Sequence, residues 1–207
     1  MNRLIAAVIL ALTFLIPLSA VSPWTAIATQ IHPSIFYLES VGQGGSRTGS
    51  CTGFTINTEK SYLLTAAHCG DVQIRIDGTP SIIMFKDERK DLMVLRALER
   101  ELGPAIQMAK DDPKLGDQVA SYGYGFGLEK PMFRIAHVSQ VNAPIEELSG
   151  PFFMIDSQYI GGQSGGPVVN ERGELVSIVQ RSTNGLGIGV GVETIRDRVG
   201  RYFQSTQ

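Results

Sequence analysis

The run Gly161-Gly162-Gln163-Ser164-Gly165-Gly166-Pro167 stands late in a chain of 207 residues, behind Leu64-Thr65-Ala66-Ala67-His68-Cys69 and Asp91-Leu92-Met93-Val94-Leu95. The order is His, then Asp, then Ser. A serine hydroxyl attacks poorly at neutral pH, so it needs a base to take its proton and a carboxylate to orient that base. The glycines around Ser164 free the backbone for a tight turn whose N–H groups can point at one spot. Each motif alone has a plain alternative: Ser164 on a Gly-rich surface turn, His68 as a buried histidine ending a strand, Asp91 as a solvated acid in the charge-rich 86–91 stretch beside Asp87 and Glu88. Together and in order they point to nucleophilic hydrolysis.

Gly162-Gln163-Ser164-Gly165-Gly166 also fits the G-x-S-x-G elbow of another hydrolase class, in which the histidine follows the serine. The only histidines are His32, His68 and His137, and all precede Ser164. That reading is excluded. Outward from the motifs, short apolar stretches alternate with turn residues, which argues an all-β fold. Candidate strands are 31–38, 52–57, 62–66, 72–76, 82–85 and 92–97, then 118–124, 132–142, 152–155, 167–170, 175–180 and 187–192. Between the two sets, 102–115 reads as a linker with two prolines and Asp111-Asp112. Val192, Ile195, Val199 and Tyr202 recur at helical spacing and predict an amphipathic helix over 193–203.

At these residues the chain resembles the chymotrypsin/trypsin-like serine peptidases, and within them the minimal bacterial kinds, such as the HtrA protease domain and the glutamyl endopeptidases. The resemblance runs from about 31 to 199 and is anchored at the three motifs. It implies two six-stranded antiparallel β-barrels, one over about 31–101 and one over about 116–192, with the active site in the cleft between them. It also implies roles. Ser164 is the nucleophile, His68 the general base, and Asp91 the residue that orients His68. The N–H groups of Gly162 and Ser164 form the oxyanion hole, and Gln158, Gln180, Arg181 and Ser182 border the substrate pocket. A disulfide between Cys51 and Cys69 would pin the histidine's loop.

Two departures narrow the expectation. Digestive relatives carry Asp immediately before the nucleophile, where it pairs with a newly cut N-terminus; Gln163 stands here, so folding alone should assemble the site. Gln158 is neutral where trypsins place a carboxylate, and no histidine follows His137, which removes the pocket group of glutamyl relatives. The residue before the scissile bond is therefore expected to be small or medium-sized and uncharged, because an unpaired charge buried in such a pocket is costly. Ser182 in place of glycine points the same way. Asp156 is the one carboxylate that a different loop course could bring in. His137, among alternating apolar residues, reads as a partly buried strand histidine.

Residues 1–28 read as a signal peptide: Arg3, an apolar run from Leu4 to Ile16, and an Ala26-Ile27-Ala28 cleavage triplet. The alternative is an uncleaved N-terminal anchor, the only route to a membrane. The peptidase domain is then 29–207, secreted or periplasmic. The two cysteines form an even pair behind that segment, which suits a disulfide, with two buried free thiols as the alternative. Their spacing does not suggest a zinc site, and no cofactor is implied. A net charge of −2 without a basic run gives no reason to bind nucleic acid. The expected partner is a protein or peptide substrate, cut by a serine endopeptidase. A catalytically silent binding module and an esterase on the same fold are the competing readings.

Overall fold

The computed structural model describes residues 22–70, 72–145 and 148–204. Of the expected signal segment at 1–28, residues 1–21 lie outside them. Among the described residues the chain forms twelve strands and two α-helices, α1 (Pro23–Ile31) and α2 (Val192–Phe203). The first six strands are β1 (Ile35–Val41), β2 (Arg47–Asn57), β3 (Tyr62–Thr65), β4 (Gln73–Ile76), β5 (Thr79–Asp87) and β6 (Leu92–Ala97). The second six are β7 (Gln118–Gly123), β8 (Met132–Ile145), β9 (Leu148–Ile155), β10 (Pro167–Val169), β11 (Leu175–Thr183) and β12 (Leu186–Gly191).

Each set closes on itself as an antiparallel barrel, in the orders β1-β2-β3-β6-β5-β4 and β7-β8-β9-β12-β11-β10. Closure needs bent strands, and bulges supply the bends at Ser40/Val41, Thr55/Asn57 and Ile83/Phe85 in the first barrel. Both strand orders are the same, shifted by six. Phe54, Leu64 and Val94 from the first barrel share one buried cluster with Phe152, Ile178 and Val190 from the second. The halves therefore pack as a unit. The stretch between β6 and β7 is stitched to both: Ile106 N–H donates to Thr55 O, and Ala109 N–H donates to Leu175 O.

Helix α2 starts one residue before the expected 193 and buries Val192, Ile195 and Val199. Asp112 Oδ1 accepts from Glu193 N–H at 2.9 Å and so satisfies a free donor in its first turn. The helix then reaches back to the first barrel. Arg198 pairs with Asp87 at 2.7 Å, Tyr202 meets Tyr62 edge to face, and Asn57 Nδ2 donates to Gln204 O just beyond the helix end.

The first strand begins at Ile35, four residues later than expected, because α1 and a 3₁₀ turn at His32–Ser34 precede it. Pro23 occupies the helix start, where its missing N–H costs nothing. Trp24, Ile27 and Ile31 then fall on one buried face. Trp24 is 6% exposed, packs against Phe133 and donates from its indole Nε1 to Gln118 Oε1 at 2.8 Å. The expected leader boundary at 28 thus falls inside α1. A cut after Ala28 would strip Trp24 and Ile27 from the core.

Candidate active site

His68 sits on a 3₁₀ turn, Ala67–Cys69, at the end of β3. That turn is tied down by a disulfide from Cys69 to Cys51 on β2. Closing a loop of this length contributes about 3 kcal/mol in the chain-entropy treatment. Cys51, His68 and Cys69 bring possible metal-ligand atoms together, but both sulfurs are committed to the disulfide.

Asp91 immediately precedes β6 and is 2% exposed. Both of its carboxylate oxygens face His68: Oδ1 accepts from the His68 backbone N–H at 2.9 Å, and Oδ2 lies 2.8 Å from Nδ1. Its two sequence competitors do other work. Asp87 accepts from the Arg89 and Lys90 N–H groups and pairs with Arg198, while Glu88 is exposed beside Lys86. Asp91 holds a left-handed backbone, φ +53, that few side chains tolerate. Gln180, on β11 of the other barrel, supports it there: Nε2 donates to Lys90 O at 2.7 Å and to Asp91 O at 3.3 Å.

Ser164 lies on the loop between β9 and β10 and shares with His68 a groove of about 490 Å³. Its hydroxyl donates to Gln180 O at 3.3 Å rather than to His68. A hydroxyl rotor swings freely, and such hydrogen bonds often tighten only around bound substrate. Gly162 and Gly165 are required by their conformation, with φ of +99 and +82. A Cβ on Gly162 would stand 2.6 Å from Tyr124 O, and one on Gly165 would stand 2.1 Å from Thr65 Oγ1. Gln163 is fully buried and folds back on its own loop, with Oε1 accepting from Ile160 N–H and its N–H donating to Ile160 O, both at 3.0 Å. The loop supplies its own partner at the position where digestive relatives need an N-terminus.

The four expected pocket residues part company. Ser182 accepts from Tyr159 N–H at 2.7 Å and donates to Tyr159 O at 3.1 Å, so it spans the gap between the loop before Ser164 and β11. Arg181 lies beside it, half-buried. Gln158 is exposed, and its carbonyl accepts from Arg134. Gln180 is 1% exposed, and its side chain turns to the Asp91 backbone instead of the cleft. Tyr159 packs its ring against Gly187, where a Cβ would come within 2.7 Å of it, and burial pushes its phenol far above the usual range. Asp156 is held away from the pocket by His137, whose N–H donates to Oδ1 at 2.6 Å. His137 is on β8 as expected, but exposed instead of partly buried, because the pleat turns it outward between the buried Ala136 and Val138. A depression of about 580 Å³ on the second barrel, beside Asp112 and His137, includes none of His68, Asp91 or Ser164.

Comparison with known proteins agrees with this fold. The chain is similar to the periplasmic serine endoprotease DegP of Escherichia coli strain K12, with 27% identity over 169 residues, covering 72% of this chain and 35% of that protein. It is also similar to a probable periplasmic serine endoprotease DegP-like of Rhizobium meliloti, with 31% identity over 153 residues, covering 68% of this chain and 29% of that one. The chain thus spans about a third of the length of these relatives. Among solved structures, the serine endoprotease of Yersinia pestis superposes with a TM-score of 0.71 at 22% identity, over 87% of this chain and 66% of that one. The active form of the Rv3671c protease of M. tuberculosis gives 0.72 at 19%, over 87% and 85%. The family model described as trypsin-like peptidase domain matches residues 51–178, a span that holds His68, Asp91 and Ser164 between the two barrels, and the chain belongs to that family.

Proposed function

We propose that the protein is an exported serine endopeptidase that cuts protein or peptide substrates by way of an acyl-enzyme. The observation that carries this reading is the two-point hold of Asp91 on His68, on the same groove as Ser164. With Nδ1 engaged by Asp91, His68 presents Nε2 as the base that accepts the Ser164 proton and later returns it to the leaving amine. Asp91 fixes that tautomer and balances the imidazolium. The Gly162 and Ser164 N–H groups meet the oxyanion of the tetrahedral intermediate.

Periplasmic relatives, the apolar start at 4–16 and the Cys51–Cys69 disulfide support export to an oxidising compartment. The burial of Trp24 and Ile27 on α1 supports a leader boundary before Ser22. Gln163, an uncharged amide whose Oε1 accepts from Ile160 N–H within its own loop, supports maturation without a cut beyond leader removal. Labelling with a fluorophosphonate tests the catalytic reading. The wild-type protein is expected to label at Ser164 and the Ser164→Ala variant not at all; equal labelling of both, or none of either, overturns it.

A further inference from the structure

The oxyanion hole of the proposed peptidase is built from a loop rich in glycine, which by itself would hold no single shape. Its peptides are nevertheless all anchored. The carbonyls of four consecutive residues each accept a hydrogen bond: Gly161 O from Phe126 N–H at 2.8 Å, Gly162 O from Thr52 Oγ1 at 2.8 Å, Gln163 O from Gly166 N–H at 2.9 Å, and Ser164 O from Thr52 N–H at 2.8 Å. A trans peptide points its N–H opposite to its C=O. Anchoring Gly161 O and Gln163 O therefore aims the Gly162 and Ser164 N–H groups away from those anchors. Anchoring Gly162 O and Ser164 O sets the rotation of the peptides on either side of the nucleophile's turn.

Two of the four anchors come from one residue on the other barrel. Thr52 stands on β2, next to Cys51, and is fully buried. Its hydroxyl hydrogen goes to Gly162 O, and its oxygen accepts from Tyr124 N–H at 2.9 Å. Its own carbonyl is fixed by Thr65 Oγ1 at 2.7 Å. The threonine is thus saturated and held in one pose, bridging β2, β3, the strand end at Tyr124 and the nucleophile loop. We infer that Thr52 is a positioning residue for the oxyanion hole: it bolts the loop of the second barrel to the wall of the first and keeps both N–H donors aimed at the reacting carbonyl. This role rests on the peptidase reading above.

The test compares Thr52→Val, Thr52→Ser and wild type on one peptide substrate, with a peptide boronic acid as the transition-state probe. Thr52→Val keeps the shape and removes the hydroxyl. Its kcat is expected to fall about ten- to hundred-fold, somewhat less than loss of a donor itself, with KM changed less than about threefold. Boronate affinity should fall in step with kcat, and Thr52→Ser should restore both. If Thr52→Val does not fold, Thr52→Ala carries the same comparison, since it deletes the hydroxyl without leaving a methyl against Gly162 O. A raised KM at unchanged kcat, unchanged boronate affinity in the folded variant, or a Thr52→Ser variant as poor as Thr52→Val would overturn the inference. Failure of wild-type protein to label with fluorophosphonate would instead sink the peptidase reading, and this role with it.

Discussion

The Ser182 hydroxyl engages both ends of the Tyr159 residue, accepting from its N–H at 2.7 Å and donating to its C=O at 3.1 Å. A substrate side chain entering between the loop before Ser164 and β11 would meet this bridge, with the Tyr159 ring packed on Gly187 beyond it. Wild-type protein is expected to cut after small or medium-sized, uncharged residues. Ser182→Gly removes the bridge and should raise kcat/KM for an aromatic residue before the cut by about tenfold relative to alanine. Cleavage profiling on a peptide library measures this. Wild-type enrichment of Phe, Arg, Lys or Glu at that position would contradict it.

Ser164→Ala and His68→Ala should each abolish turnover while leaving the fold intact, because neither side chain is part of the buried core. Groups that act as a unit lose their effect together, so the double variant should be scarcely slower than either single one. Steady-state kinetics alongside circular dichroism provide the check. Additive losses would show that the two side chains act independently.

Trp24 tests how far the folded domain extends toward the N-terminus. Trp24→Ala empties a buried aromatic site and breaks the hydrogen bond to Gln118, for an expected loss of about 3–5 kcal/mol in urea unfolding. A chain beginning at residue 29 should be destabilised at least as much. Unchanged unfolding midpoints in both would place α1 outside the cooperative unit.

Asp112 gives a pH dependence of stability. Burial pushes its carboxyl above the usual carboxylate range; the nearby Glu193 charge adds to this, while the hydrogen bond from Glu193 N–H opposes it. The folded state therefore holds the proton more tightly than the unfolded chain. This contribution to stability is present in acid and is lost as pH rises through the raised value. Asp112→Asn keeps an acceptor for Glu193 N–H without the charge. Wild-type Tm, relative to that variant, should fall as pH rises from about 4; a relative rise would mean that the ionised cap prevails.

The twelve strands were legible because alternation and turn residues are local signals, and the chain keeps them consistent from 35 to 191. His68, Asp91 and Ser164 stand out in sequence for a similar reason: each lies at the edge of an apolar strand or in a glycine turn. Thr52 and the side-chain role of Gln180 carry no such signal. What they do depends on which strand ends meet across the cleft, and neighbouring residues do not encode that. Helix α1 had a signal in Pro23 followed by Trp24, Ile27 and Ile31, but the small residues between them also satisfy a cleavage pattern. The burial of an indole, invisible in the sequence, separates the two.

The sharing of the site between halves has a consequence for biosynthesis. His68 and Asp91 emerge with the first barrel, whereas Ser164 arrives with the second, and α2, which ties back to Asp87 and Tyr62, comes after it. A nascent chain that has folded only its first half carries a base with nothing to deprotonate. Hydrolytic power, on the proposed assignment, is thus withheld until the second barrel has been made, and a host is spared a half-finished protease during its manufacture.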